Sequence, residues 1–159
     1  MGEVVTLPRL LRLRSQWKFF DRTVVFTNGC FDILHRGHID YLAKAKALGD
    51  ILIVGVNDDR SVARLKGPQR PIVEEDDRAN VLAALNCVDY VVMFGEDTPY
   101  DLIKAIVPDI LVKGADWSVD KVVGKDIVES AGGSVRTIEF LPNHSTSRII
   151  EKIARPSGH

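Results

Sequence analysis

The sequence predicts an α/β fold: a single Rossmann-like, doubly wound domain with a five-stranded parallel sheet. Three observations carry this. From Thr23 onward, short β-branched runs alternate with segments of helical period. The runs are apolar throughout, as strands covered on both faces are. At 159 residues the chain is long enough for one domain with its own core and too short for a second of full size.

Five segments read as strands: 23–27, 51–56, 88–94, 110–113 and 135–138, each short, apolar and bounded by Gly, Asp, Asn or Pro. Between them, 37–48, 75–86, 99–107 and 118–131 carry apolar residues on one helical stripe. In the third of these helices Thr98 is the expected cap, Pro99 the first-turn residue and Asp101 the capping-box acid. Residues 145–153 read as a terminal helix opening on a hydroxyl-rich turn, and 8–20, with Leu10, Leu11 and Leu13, as an amphipathic helix ahead of the first strand. Apolar positions in 7–20 suit either a cap on the core or the face of a homodimer or higher homo-oligomer. The stretch 57–73, with Gly and Pro, reads as a long loop of the kind that forms substrate flaps. The expected layout is a helical extension over 1–22, the domain over 23–154 and a tail over 155–159.

Composition excludes several classes. Lys and Arg number 21 against 22 Asp and Glu, a net charge of -1, which lacks the basic excess that nucleic-acid or anionic-membrane binding uses. No apolar run approaches the roughly 20 residues of a membrane helix, and no charged-then-apolar signal segment opens the chain, so a cytoplasmic protein is expected. Cys30 and Cys87 form neither a CxxC nor a zinc spacing and read as reduced, buried thiols.

Doubly wound sheets bind ligands beyond the carboxyl ends of their strands, where the strand order reverses. One strand-exit loop is heavily loaded: Thr27-Asn28-Gly29-Cys30-Phe31-Asp32-Ile33-Leu34-His35-Arg36-Gly37-His38. It contains neither a dinucleotide fingerprint nor a P-loop. His35 and His38, three apart at a helix start with Gly37 between them, can project to one side beside unpaired backbone N–H groups. Such a helix terminus holds phosphate, and imidazoles add donors as charge builds on a phosphoryl oxygen. The blander alternative is a pair of surface histidines. Against it, His35, His38 and His144, three of the four histidines in the chain, all fall in loops at expected helix starts.

The run TNGCFDILHRGH resembles the (T)xGxFDxxHxGH signature of the HxGH nucleotidyltransferases, the superfamily of cytidylyltransferases, phosphopantetheine adenylyltransferase and class I aminoacyl-tRNA synthetases. Lys66 in ARLKGPQRPI matches the basic loop these enzymes place over phosphates, Arg78 in EEDDRANVL their helix-borne arginine, and His144-Ser145-Thr146-Ser147 their ISTT-like phosphate element. Within the superfamily, the blocks FTNGCFDILHRGHIDYLAKAKALGD, VGVNDDRSVARLKGPQRPI, VDYVVMFGEDTP, PDILVKGADW and STSRIIEKI resemble most the D-glycero-β-D-manno-heptose 1-phosphate adenylyltransferase family, over roughly 24–153. That resemblance implies transfer of AMP from ATP to the sugar 1-phosphate in lipopolysaccharide core synthesis, in a stand-alone chain served by a separate sugar kinase. It also implies Mg2+ brought with ATP and no metal held by protein side chains alone.

The resemblance assigns His35, His38 and Lys66 to catalysis. It assigns Thr27, Asn28, Gly29, Cys30, Phe31, Gly37, His38, Lys113, Gly114, Asp116, Ser145, Thr146 and Ser147 to the nucleotide. Asp32, Asn57, Asp58, Lys66, Arg70 and Arg78 go to the substrate. Several have plain alternatives. Lys66 and Arg70 suit solvent; Arg78 follows four acids and suits an intrahelical ion pair; Asp32, Asn57 and Asp58 suit turns; Trp117 suits packing; Ser145, Thr146 and Ser147 suit a helix cap. One departure stands out: cytidylyltransferases carry an arginine ahead of the element, in RTEGISTT, where this chain reads Phe140-Leu141-Pro142-Asn143-His144. Arg148 or Lys66 would then supply that charge. A cytidylyltransferase acting on glycerol 3-phosphate or another polyol phosphate, and a non-catalytic nucleotide-binding module, are the rival readings.

Overall fold

The structure, a computed structural model, describes residues 1–155. Of the expected tail, 156–159 lie outside the described residues. The sheet is parallel throughout and ordered β1-β4-β3-β2-β5-β6, with β1 at Glu3–Val4, β2 at Val24–Gly29, β3 at Ile51–Asn57, β4 at Tyr90–Phe94, β5 at Ile110–Gly114 and β6 at Ser134–Ile138. It has six strands where the sequence predicted five. The extra one, β1, spans two residues on the β4 edge, too short to leave an apolar run; its register sets Val4 beside Val91. Order reverses between β2 and β5, so the crevice above that pair is the switch point.

Helices cover both faces. On one side Val25, Leu52, Val54, Val91 and Val112 pack with Leu42 and Ala45 of α2 (Arg36–Lys46) and Leu82 of α4 (Glu75–Ala83). On the other, Val24, Phe26, Ile53 and Leu111 pack with Leu10 and Trp17 of α1 (Leu7–Phe19) and Ile103 of α5 (Tyr100–Ile106). Adjacent strand residues such as Leu52 and Ile53 are both fully buried but belong to opposite faces, which is why the runs read as continuously apolar. α1 is further tied down by Arg14, which donates to the carbonyls of Ile106 and Val107 and to Asp109. Phe19 and Phe20 at its end remain exposed.

Three other expectations change. The 57–73 loop contains α3 (Asp59–Lys66), capped by Asp58, whose carboxylate accepts from Ser61 N at 2.8 Å. The 118–131 helix is a 3-10 turn at Val119–Lys121 followed by α6 (Lys125–Ser130). α5 begins at Tyr100 with Pro99 at the cap position and no side-chain cap, so Thr98 and Asp101 do not close a capping box. α7 (Thr146–Ala154) ends the described chain. Among the described residues no helix is long and apolar enough to cross a membrane.

Since Leu10 is fully buried against the sheet, Leu10→Ala is expected to lower stability by about 2–5 kcal/mol in urea titrations. A loss near zero would make α1 a loose appendage.

Candidate active site

The exits of β2, β3, β4 and β5 open into one cleft of about 540 Å3, floored by the β2–α2 turn, where Asn28, Gly29, Cys30, Phe31 and Asp32 all line it. Directly beneath, fully buried Thr27 donates to the Val112 carbonyl and shares a 2.8 Å bond with the Tyr41 hydroxyl. One hydroxyl thus joins β2, β5 and α2. Burial pushes the Tyr41 phenol up to about 12, so it remains neutral. Phe31 adopts a left-handed backbone with φ of 49°, and its ring packs so close to Gly29 that a Cβ there would lie 2.9 Å from it.

α2 rises from this turn with His35 as its cap. His35 Nδ1 accepts from Gly37 N at 3.1 Å, so the neutral ring carries its proton on Nε2. His38 stacks on it, ring centroids 3.9 Å apart, with Phe31 edge-on behind at 5.3 Å. Gly37 is required here: a Cβ would lie 2.9 Å from the His35 ring and 3.0 Å from His144 Cβ. Burial, reinforced by His35, pulls the His38 imidazole down to about 4, and its Nδ1 is buried without a partner. Burial and then His144 lower His35 as well. Both rings are therefore neutral at neutral pH in the free protein. An arriving anion would stabilise the protonated form.

Cations surround this pair unequally. Lys66, the last residue of α3, is exposed and lines the cleft. Lys113 at the end of β5 donates to Asn28 Oδ1; burial draws its ammonium down to about 8, opposed by the charge of Asp116. Arg70 lines the cleft but is paired at 2.5 Å with Asp32, which also accepts from Ile72 N and Val73 N. Burial would raise the Asp32 carboxyl, yet the two N–H groups and Arg70 outweigh it and hold it below the usual range. Asp32 is therefore an anchor for the loop after α3.

Arg78 departs furthest from the sequence reading. It is 1% exposed, donates to the carbonyls of Cys30 and Val73, and pairs with Asp59 at 2.8 Å. The acid it pairs with lies on α3, so no intrahelical pair results, and the guanidinium is buried outside the cleft lining. Asp58 is likewise occupied in capping α3. Asn57, buried at the end of β3, does line the cleft, as do Gly114, Thr146 and Ser147. Ser145 caps α7 by accepting from Arg148 N, while Thr146 donates to the Ile33 carbonyl, fastening α7 beside α2. Cys30 is a thiol raised chiefly by burial. Thr27, His35, Gly37, Asp116 and Ser145 flank the cleft or lie beneath it, outside its lining.

Sequence reasoning missed Tyr41, Leu65, Asp97, Thr98, Pro99, Val123 and Phe140 in the lining, where Trp117 also stands. For Asp97–Pro99 a signal existed, since Gly95-Glu96-Asp97-Thr98-Pro99 is a strand-exit loop like the others. Phe140, stacked on Tyr41 at 5.4 Å, had none.

Two measurements check this electrostatic picture. His38 has a folded pKa of about 4 against 6.5 for the ordinary side chain. Between those values the unfolded chain holds a proton that the folded one lacks, so stability is full above the higher value and falls as pH drops toward the lower. Urea midpoints of the wild type and His38→Asn are expected to converge between about pH 7 and about pH 5; a constant difference would refute the depressed pKa. Arg78→Met should lower stability by about 2–3 kcal/mol, because it removes the buried guanidinium's bonds to two part-buried carbonyls and to the Asp59 carboxylate. If instead stability held while ligand affinity collapsed, Arg78 would be a ligand contact.

Comparison with known proteins places this architecture. The cytidylyltransferase-like family profile matches residues 26–152. The chain is 61% identical over 132 residues to the bifunctional protein HldE of Citrifermentans bemidjiense, covering 83% of this chain and 27% of that protein. It is 56% identical over 157 residues to HldE of Geobacter metallireducens, covering 99% of this chain and 32% of that one. The chain thus spans about a third of the length of the curated relatives it matches. Among solved structures, the lipopolysaccharide core biosynthesis protein of Thermoplasma volcanium superposes with a TM-score of 0.62 at 32% identity, over 76% of this chain and 97% of that one. Pantoate-beta-alanine ligase of Francisella tularensis shares the fold alone, with a TM-score of 0.64 at 15% identity over 94% of this chain and 76% of that one. With the profile spanning most of the chain and the histidine pair at its cleft, this chain belongs to the cytidylyltransferase-like family of nucleotidyltransferases.

Proposed function

We propose that this chain transfers AMP from ATP to D-glycero-β-D-manno-heptose 1-phosphate, giving ADP-heptose and pyrophosphate for the lipopolysaccharide core. The observation that carries the reading is the meeting of His38, stacked on His35, with Lys66 and Lys113 around one cleft, in a chain this similar to HldE proteins.

The chemistry asks for this set of groups. A sugar phosphate oxygen attacks the α-phosphorus in line; the new P–O bond forms as the bond to the β-phosphate oxygen breaks, and pyrophosphate leaves with that electron pair. The attacking oxygen is already ionised, so no side-chain nucleophile or base is needed. What is needed is to hold two polyanions together and to neutralise charge on the equatorial oxygens. In this reading His38 donates to the α-phosphoryl oxygens, His35 Nε2–H adds a second donor, and the two lysines offset the anions' repulsion. Thr146 and Ser147 at the start of α7 receive the nucleotide phosphates. Magnesium would arrive on the triphosphate and supply charge neutralisation. The cleft donors, two lysines with imidazoles and hydroxyls, fit phosphate oxygens, and Asp32 is already held by Arg70 and backbone N–H groups.

Pyrophosphate release from ATP and heptose 1-phosphate is the direct assay. Turnover confined to CTP with a polyol phosphate would move the chain to the cytidylyl reading, and nucleotide binding without turnover to the non-catalytic one. His38→Asn is expected to lower turnover by about 10²–10³ while the fold persists, the worth of one transition-state donor. Near-normal activity would remove the histidine from the mechanism.

A further inference from the structure

The cleft has two unlike walls. Beside β2 and β5 it presents His38, Lys113, Thr146 and Ser147, all suited to phosphate oxygens. Beyond β3 and β4 it presents Asn57, Leu65, Asp97, Thr98 and Pro99. This second wall sets a carboxylate among a hydroxyl, an amide and apolar side chains, with Lys66 beside Leu65 at its edge.

That carboxylate, itself largely exposed, is oriented by a surface pair. Arg64 Nε donates to Asp97 Oδ1 at 2.7 Å while its Nη2 donates to the Gly95 carbonyl, so α3 grips the loop that follows β4. The second oxygen, Asp97 Oδ2, has no protein partner among the described residues. Thr98 is released for other use, since α5 starts after Pro99 without a side-chain cap. Asn57 adds an amide at the end of β3, and Leu65 and Pro99 add apolar surface. A fixed carboxylate, a hydroxyl and an amide next to apolar patches complement a sugar, whose hydroxyls donate to carboxylates and whose C–H faces seek apolar contact.

We propose that Asp97, aimed by Arg64, together with Thr98 forms the wall that selects the acceptor by its ring hydroxyls. The inference rests on the transferase reading and deepens it: nucleotide and phosphates occupy the β2–β5 side, the polyol the β3–β4 side. Arg64 and Lys66 share the last turn of α3, so the helix that aims the sugar-binding carboxylate also carries a cation for the acceptor phosphate. Asp97 contacts the substrate in this arrangement, and Arg64 is a positioning residue.

Two readouts separate this inference from the transferase reading. In turnover, Asp97→Asn is expected to raise KM for the sugar 1-phosphate about tenfold while leaving KM for ATP within about twofold. Arg64→Met should follow it, with Arg64→Lys recovering part of the loss. An acceptor lacking the contacted hydroxyl should bind the wild type and Asp97→Asn alike, which a merely structural role for Asp97 would not produce. In direct binding, followed by line broadening of ligand resonances, Asp97→Asn should weaken heptose 1-phosphate and glucose 1-phosphate about tenfold and leave inorganic phosphate and Mg·ATP unchanged. Equal losses for all ligands, or none for the sugar phosphates, would overturn the inference whatever the turnover assay gives. A wild type that binds sugar phosphates through Asp97 but releases no pyrophosphate would sink the transferase reading alone.

Discussion

Two buried charges make the cleft possible. Asp32, at the exit of β2, holds Ile72 N, Val73 N and Arg70; Arg78, on α4, holds the carbonyls of Cys30 and Val73 together with Asp59. Each ties the β2–α2 turn to the chain between α3 and α4, from opposite sides of Val73. A buried charge is tolerable only when its hydrogen-bonding capacity is met, and both meet theirs with backbone groups that would otherwise be stranded. The consequence is positional. Lys66 sits at the end of α3, on the near side of this double anchorage, so its place at the cleft is set by these buried charges.

The same anchorage decides which cations of the cleft are left to a ligand. With Arg70 engaged by Asp32 and Arg148 hydrogen-bonded to Asn143, the lysines Lys66 and Lys113 are what the lining offers to phosphate charge. The arginine that cytidylyltransferases carry before their ISTT-like element is not replaced by Arg148, which lies outside the cleft lining. Lys113, near the end of β5, lines the cleft with the Asn28 amide as its one side-chain partner among the described residues. Its lowered pKa reflects a cation held partly out of water with no carboxylate bonded to it, an arrangement that an anion would relieve.

What the sequence disclosed and what it withheld follow from how local each signal is. The interior strands were legible because burial on both faces leaves continuous apolar runs, and the histidine pair because cap, glycine and helix start all fall within a few residues. β1 was illegible because two residues carry no period; its place comes from backbone pairing with β4. α3 was hidden because only Val62 among its apolar side chains is fully buried while Leu65 is exposed, so a polar segment with Gly and Pro after it looked like a flap. Arg78 could be assigned to a helix from its neighbours, but its partners Cys30 and Val73 lie on other segments, and nothing within the helix distinguishes a guanidinium aimed at a ligand from one aimed at two carbonyls.

Thr98 shows the converse, a correct-looking local signal overridden by the fold. Thr followed by Pro is a strong helix start, yet the structure begins α5 one residue later, with Pro99 itself at the cap. A cap hydrogen bond is worth about 1 kcal/mol, less than the packing of Leu102, Ile103 and Ile106 against the sheet, so burial of the helix decides the register and the hydroxyl is freed. The freed group lies at the exit of β4, beside a carboxylate that Arg64 already orients. In a parallel sheet every such exit faces the ligand, and a side chain released from a structural duty at that edge becomes available for recognition.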